Sequence, residues 1–466
     1  ITDPILANPQ EVVLVNNLLW TADAENGLLL RQNGVFQSFL PNAPFRNETF
    51  ELYTYDDNVV TLGGGYNTSA TPDNSSAGFY IFKDGNWQNF NKNQTLPSQK
   101  IPDVKDLVAA AYSPATQNLY LASFGDGLLL KKPDQTFEVF NQNNSPLRTD
   151  ITNRVKVTGL ATDAESNVWV INYGVSQTPL HVRKTDNTWQ SFNVGTSLAA
   201  SAVEILIDQT NYKWLRINTS EGGIIIFDEK TQRNRYLTTG SGRGNLPGQS
   251  VYSMALDKDG AVWLGTERGI AVLFNTSQAF LEDISLPFFE NRPLLREEIV
   301  TAIAVDGGNR KWIGTRTGLW LFNADGSQLI ERFTTNNSPL PSNIVQSIGI
   351  QPITGEVFVA TDKGLVSYRG SSTISDGTNQ QVKVFPNPVR FGFQGLVGIS
   401  GLASNATVKI TDVTGRLVYQ TQANGGTAIW NVQDYKSRQA KTGIYLIFSA
   451  LPDGTQGFVG KMAVIE

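Results

Sequence analysis

An all-β fold is predicted for this chain of 466 residues by three observations. Its glycines and phenylalanines are dispersed from end to end, its apolar segments are short and alternate with polar positions, and one pattern recurs about every 47 residues. The 42 glycines and 24 phenylalanines suit many short strands joined by tight turns. With 40% hydrophobic and 17% charged residues, the chain can bury a large core and does not read as disordered.

The recurring pattern is a strand ending in an acidic or glycine turn, a second strand with an aromatic near its start, a glycine that opens an apolar third strand, and a fourth strand with spaced aromatics. The clearest copies are SVYSMALDKDGAVWLGTERGIAVLF around Trp263 and IVTAIAVDGGNRKWIGTRTGLWLF around Trp312. Aligning the second-strand aromatic gives Tyr120, Trp169, Trp214, Trp263, Trp312 and Phe358, at spacings of 49, 45, 49, 49 and 46 residues. Four strands per repeat predict a β-propeller blade, a sheet whose two faces are buried only when neighbouring sheets pack on it, so that blades close into a ring. Gly127, Gly269, Gly318 and Gly364 open the third strands, where the turn must be sharp.

Two looser copies precede Tyr120, one near Val60 and one around Trp20, which makes eight motif starts. The last copy lacks a fourth strand before the polar stretch Ser371–Asn379. We expect a seven-bladed ring over residues 35–370, with Gly34–Leu40 supplying the missing outer strand of the last blade. An eight-bladed ring over residues 9–370 is the alternative. On the seven-bladed reading residues 1–34 are surplus strands, expected to end another propeller upstream in a longer chain.

The 47-residue motif stops at residues 371–381, which read as a linker. Beyond it, VKVFPNPV at 382–389, TVKITDVTGRLVYQ at 407–420, GIYLIFSA at 443–450 and FVGKMAVIE at 458–466 predict an Ig-like β-sandwich over residues 382–466.

Composition narrows the function classes. A net charge of −5 without a Lys/Arg cluster offers no footprint for a phosphate backbone, so nucleic acid is not an expected partner. No stretch approaches the roughly 18 apolar residues of a membrane-spanning helix. The N-terminal ITDPILANPQ has no basic or apolar leader pattern, so a removed signal peptide or a longer chain is expected. Zero cysteines exclude disulfides and cysteine nucleophiles, and the one histidine, His181 in PLHVRKTD, falls on a third strand away from the ring axis and reads as structural. Asp257-Lys258-Asp259-Gly260 faintly resembles a calcium loop, but it lacks the distal Glu and falls where a hairpin turn is required. No cofactor, metal or catalytic residue is assigned.

Two resemblances add to this reading. WLGT at 263–266 with Gly269-Ile270, and WIGT at 312–315 with Gly318-Leu319, resemble two-component regulator propeller repeats. Pro386-Asn387-Pro388, Thr414-Gly415-Arg416, and Gly443 with Tyr445 before Lys461 resemble the type A sorting domain of the type IX secretion system of Bacteroidetes. Each of these residues also has a plain structural use: the prolines fix an extended strand, Gly415 permits a positive-φ turn, and Tyr445 suits a core.

Together the two parts resemble the PorZ-like family, whose pattern is two seven-bladed propellers followed by the sorting domain. The resemblance implies a non-catalytic component at the cell surface, associated with the outer membrane. Its implied partners are a PorU-like sortase, outer-membrane proteins and anionic lipopolysaccharide. Tyr66, Trp87, Trp189, Phe288 and Phe289 are candidate loop aromatics for sugar stacking. The competing reading is a propeller lyase or glycan hydrolase exported as cargo, which would gather perturbed carboxylates in the central funnel. A membrane-bound sensor is disfavoured by the lack of an apolar span.

Overall fold

The computed structural model describes every residue except 1, 2, 4, 25, 376, 380, 381, 391, 394, 452–454 and 466. Seven antiparallel blades span residues 51–90, 107–140, 155–192, 202–237, 251–273, 300–333 and 345–369. The first strand of each blade faces the axis, and these strands touch in order from Glu51–Tyr55 round to Val345–Ile350, which returns to Glu51–Tyr55. That closure leaves no place for an eighth blade.

Apolar seams between consecutive blades hold the ring. Val60 and Phe79 meet Leu107 and Leu129; Trp169 and Phe192 meet Ile205 and Phe227; Trp263 and Val272 meet Ile303 and Phe322. Each such side chain contributes about 1.5–3 kcal/mol on full burial, so the seams rather than the hydrogen-bonded ladders set the blade order. The closing seam is small: Leu52 and Val59 against Phe358 and Ala360, flanked by Phe82 and Trp87.

The period has a polar cause as well. In four successive blades an aspartate six residues before the tryptophan accepts its indole N–H: Asp163 from Trp169 at 2.9 Å, Asp208 from Trp214 at 2.8 Å, Asp257 from Trp263 at 2.9 Å and Asp306 from Trp312 at 3.2 Å. The other oxygen of Asp257 accepts the turn amides of Asp259 and Ala261, so the Asp257–Gly260 segment is a hairpin turn whose lead carboxylate is fully engaged. The lysine before a tryptophan reaches back to the preceding blade. Lys213 lies 4.0 Å over Trp169, and Lys311 lies 4.6 Å over Trp263 and 3.2 Å from Asp257. Burial pushes both ammonium groups below the usual lysine range, with the neighbouring carboxylates opposing that shift.

One expectation fails at the N-terminus. Gly34–Leu40 does not complete the last blade: Val35–Phe39 pairs with Gly27–Gln32 in a separate sheet that also contains Pro9–Val15 and Leu18–Asp23. Residues 35–39 therefore belong with the surplus strands, and the ring begins at Glu51. The reason is local. Asn33 and Gly34, at φ of 53° and 84°, form a two-residue hairpin that pairs adjacent strands at almost no loop-closure cost, whereas closing the last blade would span the whole ring. The last blade ends three-stranded at Gly364–Arg369, and side chains close the ring instead. The Leu52 amide donates to Ser347 Oγ at 3.0 Å, and Phe82 packs on Phe358 at 5.2 Å. Pro9–Val15 is exposed along its length, including Val12 and Leu14.

The C-terminal sandwich sets Lys383–Phe385, Val397–Ser400 and Thr427–Trp430 against a five-stranded sheet ordered Val389–Arg390, Gln456–Ile465, Gly443–Ala450, Thr407–Asp412, Leu417–Gln422. Ile399, Trp430, Ile410, Ile447 and Met462 form its core.

The stretch read as a linker is a seam over its described part; residues 376, 380 and 381 lie outside the described residues. Arg310 donates to Ser371 Oγ, Ile374 N–H to Pro352 O, Ser372 Oγ to Asn424 O, and Gly426 N–H to Thr373 O at 2.8 Å. Three glycines make room for it. A Cβ on Gly307 would stand 1.9 Å from Thr373 O, one on Gly425 2.1 Å from the same oxygen, and one on Gly426 2.3 Å from Ile374 O. We expect Gly307→Ala to force the seam apart at a cost of about 1–3 kcal/mol. Limited proteolysis should then cut within residues 371–381 while both domains keep their cores. Unchanged protection of that segment would show that the close approach does not hold the two parts together.

Candidate functional site

Two places gather chemistry-bearing groups: the axis of the ring and the outer face of the sandwich. At the axis, residues from all seven inner strands line a cavity of about 350 Å³. The hydroxyls of these strands stitch neighbours together, with Thr158 donating to Ala202 O and Thr301 to Val345 O. Arg216 Nε donates to Glu204 Oε2 at 2.6 Å, and Glu204 Oε1 accepts the Met254 amide at 3.3 Å. Glu51 lines the same cavity, and burial, then the Glu204 charge, raise its pKa to about 8 against the opposing pull of Arg216. At neutral pH the axis thus holds one ion pair and one protonated carboxyl.

Of the five aromatics proposed for stacking, only Tyr66 lines this cavity, with its ring 4.2 Å from Phe124 and 5.1 Å from Phe50. The others do not converge. Trp87 and Trp189 sit on the outer strands Asn86–Phe90 and Trp189–Phe192 rather than on loops, packed on Phe82 and Phe140. Phe289 packs on Phe322 from a short hairpin in which Phe288 is exposed. His181 is on a third strand, as its pattern predicts, and is fully buried. Its Nδ1 lies 2.8 Å from Ser191 Oγ, and among the described residues its Nε2 has no side-chain partner. Burial, with the Arg148 charge behind it, lowers its pKa to about 4.

On the sandwich, the peptide bonds before Pro386 and Pro388 are cis. Between the prolines, the Asn387 side chain donates to Lys461 O and accepts from the Ala463 amide, binding that corner to the last strand. Thr414, Gly415 and Arg416 form a turn around Asp412, whose Oδ1 accepts from Thr414 and whose Oδ2 accepts from Arg416 Nε at 3.1 Å. Tyr445 is buried on Trp430 and donates to Lys441 O at 2.7 Å. Gly443 opens the strand Gly443–Ala450, and Lys461 is exposed on the strand that pairs with it.

Sequence reasoning missed a second copy of this turn. Asp434 accepts the amides of Lys436 and Arg438 and two side-chain hydrogen bonds from Arg438, which hold its carboxyl down at about 2. The signal was the spacing Asp-x-x-x-Arg, present in both Asp412–Arg416 and Asp434–Arg438. The two turns flank one groove of about 490 Å³ with Lys441 and Tyr445 between them.

Comparison with known proteins agrees with this architecture. The two component regulator propeller family matches residues 245–268, and the secretion system C-terminal sorting domain matches residues 383–459. No curated protein sequence matches the chain. Fold and tail define a regulator-type propeller protein that carries a secretion-system sorting domain. Over 99% of its length the chain is similar, at 25% identity and a TM-score of 0.73, to PorZ, described as an essential bacterial surface component of the type-IX secretion system of Porphyromonas gingivalis. The chain is PorZ-like in its propeller and its sorting domain, and it spans 66% of that protein's length, just under two thirds. The extracellular domain of the putative hybrid two component system BT4673 from B. thetaiotaomicron shares the fold, at 13% identity and a TM-score of 0.50, with 98% of this chain and 69% of that one covered.

Proposed function

We propose that this chain is a non-catalytic part of the cell-surface attachment machinery of type IX secretion, associated with the outer membrane. In this role it binds or presents anionic lipopolysaccharide to a PorU-like sortase and outer-membrane partners. The observation that carries the reading is the likeness to PorZ along almost the entire chain, sorting domain included. The docked seam supports a sorting domain that stays with the propeller as an anchor, because residues 371–375 are hydrogen-bonded to both parts.

The competing reading as an exported hydrolase draws on Glu51, a carboxyl poised near neutrality in a funnel. It is weaker because the second carboxylate there, Glu204, is tied to Arg216, and His181 is sealed inside a blade. The test is binding of the full chain to lipopolysaccharide with and without its distal polysaccharide, over a range of salt. We expect the complete form to bind at least about tenfold more tightly, a difference of about 1.4 kcal/mol. Equal binding to both forms would sink the presenter role, and release of reducing ends from the polysaccharide would favour the hydrolase.

A further inference from the structure

We propose that the axial cavity is a binding site for a small uncharged, hydroxyl-rich ligand of about one sugar ring, held by Glu51 and Arg216. This goes beyond lipopolysaccharide presentation, since it concerns a free small solute inside the ring and not a polymer on its surface.

Size comes first. About 350 Å³ is at the small end of the ~300–1,000 Å³ of small-molecule sites, too little for a polysaccharide segment but enough for a single ring.

The second argument is unspent hydrogen-bonding capacity. Arg216 uses Nε on Glu204 and only a long 3.4 Å contact from Nη1 to Val251 O, which leaves guanidinium N–H groups turned to the cavity that its 19% exposed side chain lines. Tyr252 adds a phenol to the lining, and the Tyr66 and Phe50 rings give an apolar wall of the kind that accepts the C–H face of a sugar.

Charge then selects the ligand class. The titratable groups facing Glu51 are Glu204, Arg216, Tyr66 and Tyr252; the lining residues from the remaining inner strands, among them Val108, Thr158, Thr301 and Gln346, are neutral. One Arg balances one ionised Glu, and Glu51 stays protonated below about pH 8. A net-neutral cavity with a carboxyl O–H to donate matches neither a phosphate nor a polyamine. Ionisation of Glu51 replaces that donor with a second negative charge beside Glu204, so affinity falls as the pH rises through the transition.

The experiment is calorimetric titration of the full chain with glucose, galactose, mannose and N-acetylglucosamine, with inorganic phosphate and putrescine as charged probes. It is run at about pH 6 and about pH 9, either side of the Glu51 pKa of about 8. We expect at least one sugar to bind at pH 6 and to weaken about tenfold at pH 9, while neither charged probe binds. Glu51→Gln, which fixes the neutral form, should keep the pH 6 affinity and lose the pH dependence, and Arg216→Met should abolish binding. No sugar binding by the folded chain, preference for phosphate or putrescine, or binding unaffected by Arg216→Met would each overturn the proposal. The free-sugar titration is read independently of the lipopolysaccharide assay, so either reading can fail alone.

Discussion

Replacing Trp263 by alanine is expected to lower the stability of the ring by about 3–5 kcal/mol. The indole is almost completely buried in the seam between the fifth and sixth blades. It gives its N–H to Asp257 and carries the Lys311 ammonium over its ring, so the substitution removes three interactions at once. Asp257→Ala should cost a similar amount by a different route. It orphans the buried indole N–H and the turn amides, and it leaves the fully buried Lys311 without the carboxylate that balances it, a loss of about 3–5 kcal/mol for a broken buried pair. Urea denaturation followed by tryptophan fluorescence gives both values. The double variant should lose much less than the sum, because the two side chains act as one unit. Additive losses, or a loss below about 1 kcal/mol for Asp257→Ala, would show that the Asp–Trp pair is incidental to the blade seam.

The second large effect is acid sensitivity centred on His181. Its pKa is about 4 in the fold against 6.5 for the free side chain, so between those values the unfolded chain binds a proton that the folded chain refuses. A depressed folded pKa gives a contribution that is complete above about pH 6.5 and falls away as the pH drops toward 4, worth about 3 kcal/mol in all. Glu51 has the opposite sign. Its raised pKa favours the folded state most below 4.5, and that contribution is lost as the pH rises to about 8. The two slopes oppose each other between pH 4.5 and 6.5, so the wild-type profile alone would hide both. The informative quantity is the difference between wild type and His181→Leu. We expect this variant to gain relative stability steadily as the pH falls below 6.5. A constant difference from pH 7 to pH 4 would mean that His181 is protonated in the fold at no cost.

Much of the architecture was legible because it repeats. The aromatic series from Tyr120 to Phe358 marks the second strand of six blades, and each member lies on such a strand. The glycines at 127, 269 and 364 begin third strands at positive φ, where the chain reverses sharply between two buried strands. The Pro-Asn-Pro and Thr-Gly-Arg elements were readable for the same reason: each is a short backbone device whose residues are dictated by its own geometry.

What the sequence by itself determined is therefore the set of local units: the blades, the hairpin turns, the sandwich strands and the family they resemble. Only the tertiary structure decided how the ends are used. It pairs Val35–Phe39 with the preceding strand rather than with the last blade, packs Gly307, Gly425 and Gly426 around residues 371–375, and brings Glu51, Glu204 and Arg216 together at the axis across more than 150 residues of chain. The physical reason is one of range. A turn or a strand alternation is written in neighbouring residues, whereas ring closure, a glycine seam and a shared carboxyl environment depend on which surfaces meet once every blade is in place.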